Sequence, residues 1–169
     1  MYKITSSCGK AQPININAEQ YTAINYGTVV YTKTALALRY LEQYLGVEKF
    51  DSVMHTYYNT WKFRHPYPED MKAIFEKETG ENLSWFFDEL INAKNDPEFK
   101  LASVKKIKEE LQVKVSNTSG VPGPVFVSAY DKNNKLIETQ KTGAFVESAF
   151  VYFDKKDVKK IVVDPLYII

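Results

Sequence analysis

The sequence predicts an α+β protein: a helical half over residues 1–98, then a small β-sandwich over residues 99–169. Three observations carry this expectation. Apolar residues recur at steps of three and four from Ala18 to about Ala93, the spacing that puts them on one face of a helix. Beyond the segment NAKNDPEF the step becomes two, the period of a strand with one buried face. The second half is also cut at short intervals by runs rich in Gly, Pro, Asn and Ser, which is how a small sandwich spaces its strands.

Each element follows from local chemistry. Leu38, Leu41 and Leu45 line one helical face, and Gly46 ends that helix because glycine accepts the left-handed conformation a helix exit requires. Phe50, Met54, Tyr57 and Trp61 carry the same spacing onto a second helix. HPYPED interrupts it, since Pro66 and Pro68 lack the N–H donor and disfavour helix before them. Glu69 and Asp70 suit the first turn of a third helix, where negative charge meets the positive end of the dipole; Ile74 and Phe75 lie within it and Gly80 closes it. Asn82 or Ser84 caps a fourth, LSWFFDEL, with Leu83, Phe86, Phe87 and Leu90 turned inward.

In the second half, Leu111, Val113 and Val115 alternate with Gln112 and Lys114. After the loop NTSGVPGP, Val125, Val127 and Ala129 alternate with Phe126, Ser128 and Tyr130. DKNNK turns the chain into KLIETQ, and AFVESAFVYF and KIVVD supply two further strands. Lys105, Lys106 and Lys108 read as a solvated strand edge that discourages pairing with other chains.

Composition excludes several classes. Residues 1–98 carry ten basic and thirteen acidic side chains, a net of −3; residues 99–169 carry twelve lysines against eight acids, a net of +4. The basic half has no arginine, the side chain best shaped to grip phosphates and base edges, so its lysines read as a solvated coat and no nucleic-acid partner is expected. No run approaches the ~20 apolar residues of a membrane span, so no membrane segment is expected in this chain. The single cysteine, Cys8, has no cysteine with which to form an internal disulfide or a cysteine metal cluster. The sequence leaves the compartment open.

A zinc hydrolase needs three protein ligands and an open position for water. The two histidines, His55 and His65, stand ten residues apart, one on a helix and one in a proline-rich loop, and read as partly exposed structural residues. Neither a phosphate-binding glycine loop nor a nucleophile elbow occurs. Two aromatic sets, Tyr57, Tyr58, Trp61, Phe63 and Trp85, Phe86, Phe87, have helical spacing and are assigned to the core in preference to a sugar or peptide platform. Residue chemistry alone names no reaction.

The stretch from Val29 to Ile91 nonetheless resembles the gluzincin zinc peptidases, the family of aminopeptidase N and leukotriene hydrolase. The similarity lies in Tyr31, Thr32 and Lys33 opening a helix, then Leu45 and Gly46, Asp70, and Leu83 with Phe86 and Phe87. A sandwich ending in a segment like IVVDP extends the similarity from about Ile16 onward. Thr34 departs from the family's Tyr-x-Lys-Gly pattern. The upstream His-Glu-x-x-His and Gly-x-Met-Glu-Asn motifs are absent from this sequence.

The resemblance implies the helical C-terminal portion of a thermolysin-like catalytic domain, beginning after the second zinc-ligand helix, followed by a β-sandwich. It implies zinc in the complete parent and none in this chain, which is expected to be inactive alone. Its expected partners are the upstream rest of the catalytic domain and a peptide substrate. It also implies a role for Tyr31, as the phenol that donates to the oxyanion of the tetrahedral intermediate. Spacing by itself leaves Tyr31 one of 12 tyrosines that simply pack. The alternative from another class is a non-catalytic peptide- or protein-binding module.

Overall fold

A computed structural model describes residues 10–165. They form two compact units that meet between Asn95 and Asp96, the first helical and the second built of strands. Cys8 lies outside the described residues.

The first unit opens with a short 3₁₀ turn, Ala18–Gln20, and helix α1, Ala23–Gly27, whose start is capped by the Thr22 hydroxyl accepting from the Asn25 amide. A π-helical segment, Thr28–Lys33, runs directly into α2, Thr34–Leu45. Gly46 then leaves the helix at φ 85°, as the glycine predicts, and α3 follows over Val47–Trp61. Helix α4, Pro68–Thr79, begins where the Asp70 carboxylate accepts from the Tyr67 amide at 2.8 Å, and ends at Gly80 with φ 69°. Proline at the first position costs this helix nothing, because that N–H has no intrahelical partner.

The expected fourth helix takes a different form. Trp85–Glu89 is π-helical and Leu90–Asn92 is a 3₁₀ turn. Asn82, not Ser84, supplies the leading side-chain contact: its Oδ1 accepts from the Ser84 amide, while Glu76 accepts from the Leu83 amide. The wider turn lets three consecutive aromatic or indole rings, Trp85, Phe86 and Phe87, all reach the interior. Rings pack in series through Phe50, Phe75, Phe87, Phe86 and Trp85, mostly edge to face, with centroids 4.9–5.8 Å apart. Only one of the two aromatic sets is therefore core throughout. In the other, Tyr57 and Trp61 are half-buried, but Tyr58 is exposed and Phe63 is 99% exposed, carried at φ 64° on the turn after α3.

The second unit holds two three-stranded antiparallel sheets: β1 (Phe99–Ile107), β2 (Glu110–Asn117) and β5 (Ser148–Asp154) in the order β1-β2-β5, and β4 (Leu136–Lys141), β3 (Phe126–Tyr130) and β6 (Lys160–Val163) in the order β4-β3-β6. The register sets Val113 opposite both Val104 and Val151, and Val127 opposite Val163. The predicted alternation therefore turns Leu111, Val113 and Val115 of one sheet and Val127 and Ala129 of the other into one shared core with Val151 and Phe153. Ser128, read from sequence as outward-facing, is buried; its hydroxyl pairs with Thr139 at 2.6 Å, which removes the cost of desolvating it. At one open side, the Gln140 amide reaches from β4 to the edge of β5, donating to the Tyr152 carbonyl and accepting from its N–H. It satisfies an edge strand as a neighbouring peptide would.

Candidate functional site

The residues of the Tyr31 motif sit on the π-helical segment, and its local chemistry explains the wide turn. The Thr34 amide reaches back five residues to the Val29 carbonyl, and the Thr34 hydroxyl donates to the same oxygen at 3.2 Å. One carbonyl thus accepts twice, which stabilises a turn that an α-helix would close one residue earlier. Thr34 is the position at which this sequence departs from the glycine of the motif, and its side chain adds the second of those bonds.

Burial then separates the residues by face. Val29 is fully buried and Lys33, four positions on, is 2% exposed. Tyr31, between them, projects to the other side and is 66% exposed. Ile24 and Tyr26, on the preceding helix, are exposed as well. A phenol is a hydrogen-bond donor at neutral pH, so this segment presents a donor on a rigid helical element, open to whatever meets that face.

The other residues quoted for the resemblance have structural work. Gly46 ends α2, Asp70 caps α4, and Leu83, Phe86 and Phe87 are core. Lys33 is the residue sequence reasoning left without a role. Its ammonium donates to the carbonyls of Ala93 (2.8 Å) and Lys94 (3.0 Å), with the Gln12 carbonyl at 3.5 Å. A signal for its burial was present: Lys33 lies four residues from Val29, hence on the apolar side of the segment.

His55 is exposed on α3 and His65 is exposed in the loop before α4. Among the described residues no group of three His, Cys, Asp or Glu side chains is placed to hold a metal ion. The described residues do not fit a catalytic zinc. Nor is any helix among them long and apolar enough to cross a membrane.

A half-open pocket accompanies the motif. Its volume is about 300 Å³, and it lies on the helical unit, lined by Thr34, Ala37, Leu38, Tyr57, Tyr67 and Phe86 among others. It is mostly apolar. Burial, and then the Asp70 carboxylate, raises the Tyr57 phenol above its ordinary range, so that group stays protonated and can act as a donor. The cavity offers no acid–base pair or nucleophile.

Residues 2–90, just over half of the chain, match the family described as Peptidase family M1 domain. The chain is 26% identical over 146 residues to Aminopeptidase M1 of Arabidopsis thaliana, covering 80% of this chain and 16% of that protein. It is 24% identical over 165 residues to Aminopeptidase M1-A of Oryza sativa subsp. japonica, covering 92% of this chain and 19% of the relative. The chain thus spans less than a fifth of the curated relatives it matches. Among solved structures, the crystal structure of Legionella pneumophila aminopeptidase A in complex with aspartic acid superposes with a TM-score of 0.64, covering 85% of this chain and 17% of that one at 16% identity, a likeness of fold.

Proposed function

Because this chain belongs to peptidase family M1, we propose that it is part of a zinc-dependent metallopeptidase, an aminopeptidase, and contributes Tyr31 to the active site of the complete enzyme. On this reading residues 1–98 are the helical C-terminal portion of a thermolysin-like catalytic domain and residues 99–169 are a β-sandwich domain. The zinc ligands and general base belong to the rest of that domain. The chain alone is inactive, because it supplies neither.

The supporting observation is the exposure of Tyr31 on a segment whose Thr28, Val29 and Lys33 are buried. A packing tyrosine would be expected inside, as Tyr40 is. Tyr31 instead holds its hydroxyl free of the unit's own core on a helix anchored beneath it. When a peptide carbonyl is attacked, charge grows on its oxygen, and a donor aimed at that oxygen stabilises the transition state more than the ground state. The peptide and the remainder of the catalytic domain are the partners this role requires.

The test is Tyr31→Phe in the complete enzyme. The ring is kept and only the donor is removed. Turnover is expected to fall on the order of a hundredfold or more, mainly in kcat, with zinc content and folding unchanged. Near-normal turnover would return Tyr31 to the status of a surface residue. A second reading, a non-catalytic peptide- or protein-binding module, draws on the apolar cavity beside Thr34. It requires that peptide binding survive Tyr31→Phe and that no hydrolysis accompany it in the complete protein.

A further inference from the structure

A buried lysine needs a reason. Lysine is among the residues least often fully buried, and an ammonium taken from water is costly unless it is hydrogen-bonded. Lys33 is 2% exposed and gives its hydrogens to backbone carbonyls at both ends of the helical unit: Gln12 near its start, and Ala93 and Lys94 at its close. These contacts span 21, 60 and 61 residues of sequence, so they fix the segment against parts of the unit that no helical hydrogen bond reaches.

The geometry of the segment makes this anchoring matter for Tyr31. Residues two apart on a helix do not share a face. Whatever sets the rotation of Thr28–Lys33 about its axis therefore sets the direction of the Tyr31 ring. Val29 supplies an apolar contact on the buried side, which resists exposure but is indifferent to small rotations. The Lys33 ammonium is directional, since it must meet carbonyl oxygens at hydrogen-bond distance. The pair of hydrogen bonds from the Thr34 amide and hydroxyl to the Val29 carbonyl fixes the wide turn.

The geometry points to Lys33 as a positioning residue for Tyr31: hydrogen-bonded to the Ala93 and Lys94 carbonyls, it fixes the rotation of the π-helical segment that aims the phenol outward. The catalytic consequence rests on the function proposed above; the anchoring does not.

Two experiments separate these parts. In the 169-residue chain, tyrosine rings are isotopically labelled and the Tyr31 signal is identified by its loss in Tyr31→Phe. Lys33→Met keeps the aliphatic stem and deletes the ammonium. It is expected to shift and broaden the Tyr31 signal, and to speed tryptic cleavage after Lys94 about tenfold or more, because the local opening of that turn is no longer opposed. Lys33→Arg retains a cation with several donors and is expected to restore both readouts. If Lys33→Met does not fold, Lys33→Gln, which leaves a neutral amide in its place, gives the same comparison. In the complete enzyme, Lys33→Met is expected to lower kcat about tenfold or more with KM little changed. The double variant with Tyr31→Phe should be no slower than Tyr31→Phe alone, since Lys33 acts through Tyr31. A Tyr31 signal unmoved by loss of the ammonium, or additive losses in the double variant, would overturn the positioning role. Normal turnover by Tyr31→Phe would instead overturn the catalytic reading, and the ring signal would still decide whether Lys33 orients that side chain.

Discussion

Phe75→Ala tests the packing on which the helical unit depends. Phe75 is fully buried on α4, and its ring meets Phe50 of α3 and Phe87 of the second π-helical segment, each at a centroid distance of 5.8 Å. Removing it takes away one of the largest buried side chains and leaves a cavity walled by elements from three parts of the unit. A Phe→Ala change of this kind costs about 3–5 kcal/mol, the upper part of that range applying where the walls cannot collapse. The two flanking rings are held by their own helices, which favours the upper part. A unit of this size has a total stability on the order of 5–15 kcal/mol, so a large fraction would be lost. At about 4–8 °C per kcal/mol for a domain of 60–100 residues, the melting temperature should fall by at least about 12 °C.

The assay is tryptophan fluorescence during thermal unfolding. Both tryptophans, Trp61 and Trp85, belong to the helical unit, so the signal reports on that unit alone. Trp85 is 8% exposed and edge-on to Tyr40, Tyr44 and Phe86, which makes its emission sensitive to loss of packing. Phe75→Leu, closer in volume, should cost much less, about 1.5 kcal/mol or under. A fall of under about 4 °C for the alanine variant would mean that the ring cluster is not the centre of this unit's stability, and would refute the packing argument.

Tyr44 predicts alkaline behaviour. Burial first, then the hydrogen bond and negative charge of Glu81, push its phenol up to about 12. The folded form thus holds the proton more tightly than the unfolded chain, whose phenols titrate near ~10. The stabilisation is complete below ~10 and is lost as pH rises towards about 12; chemical denaturation across that window should show a steeper loss for the native chain than for Tyr44→Phe, and equal slopes would contradict it. Zinc content gives an independent check. After dialysis the chain should carry well under one zinc, and His55→Ala and His65→Ala should leave that value unchanged; a tightly held ion dependent on either histidine would require a different site.

The amino-acid sequence alone determined that a helical unit precedes one built of strands, because that information is local. A glycine at Gly46 or Gly80 ends a helix through its own backbone freedom, and both are found at positive φ. Alternation in Leu111–Val115 and in Val125–Ala129 specified the buried face of each sheet, because side chains on a strand change sides at every residue. The family was also legible in the sequence, and residues 2–90 match the M1 peptidase family. Tertiary structure decided what periodicity cannot encode. Trp85, Phe86 and Phe87 are consecutive, and a π-helical turn with aromatic partners on α2 and α4 buries all three. Phe63 has the same apolar character as they do, yet it stands exposed, because the chain leaves α3 in a turn with nothing packed above it. Lys33 is the sharpest case. Its charge predicts a surface residue, and it is buried because carbonyls some sixty residues away in sequence meet its ammonium, a complementarity that exists only once the chain has folded.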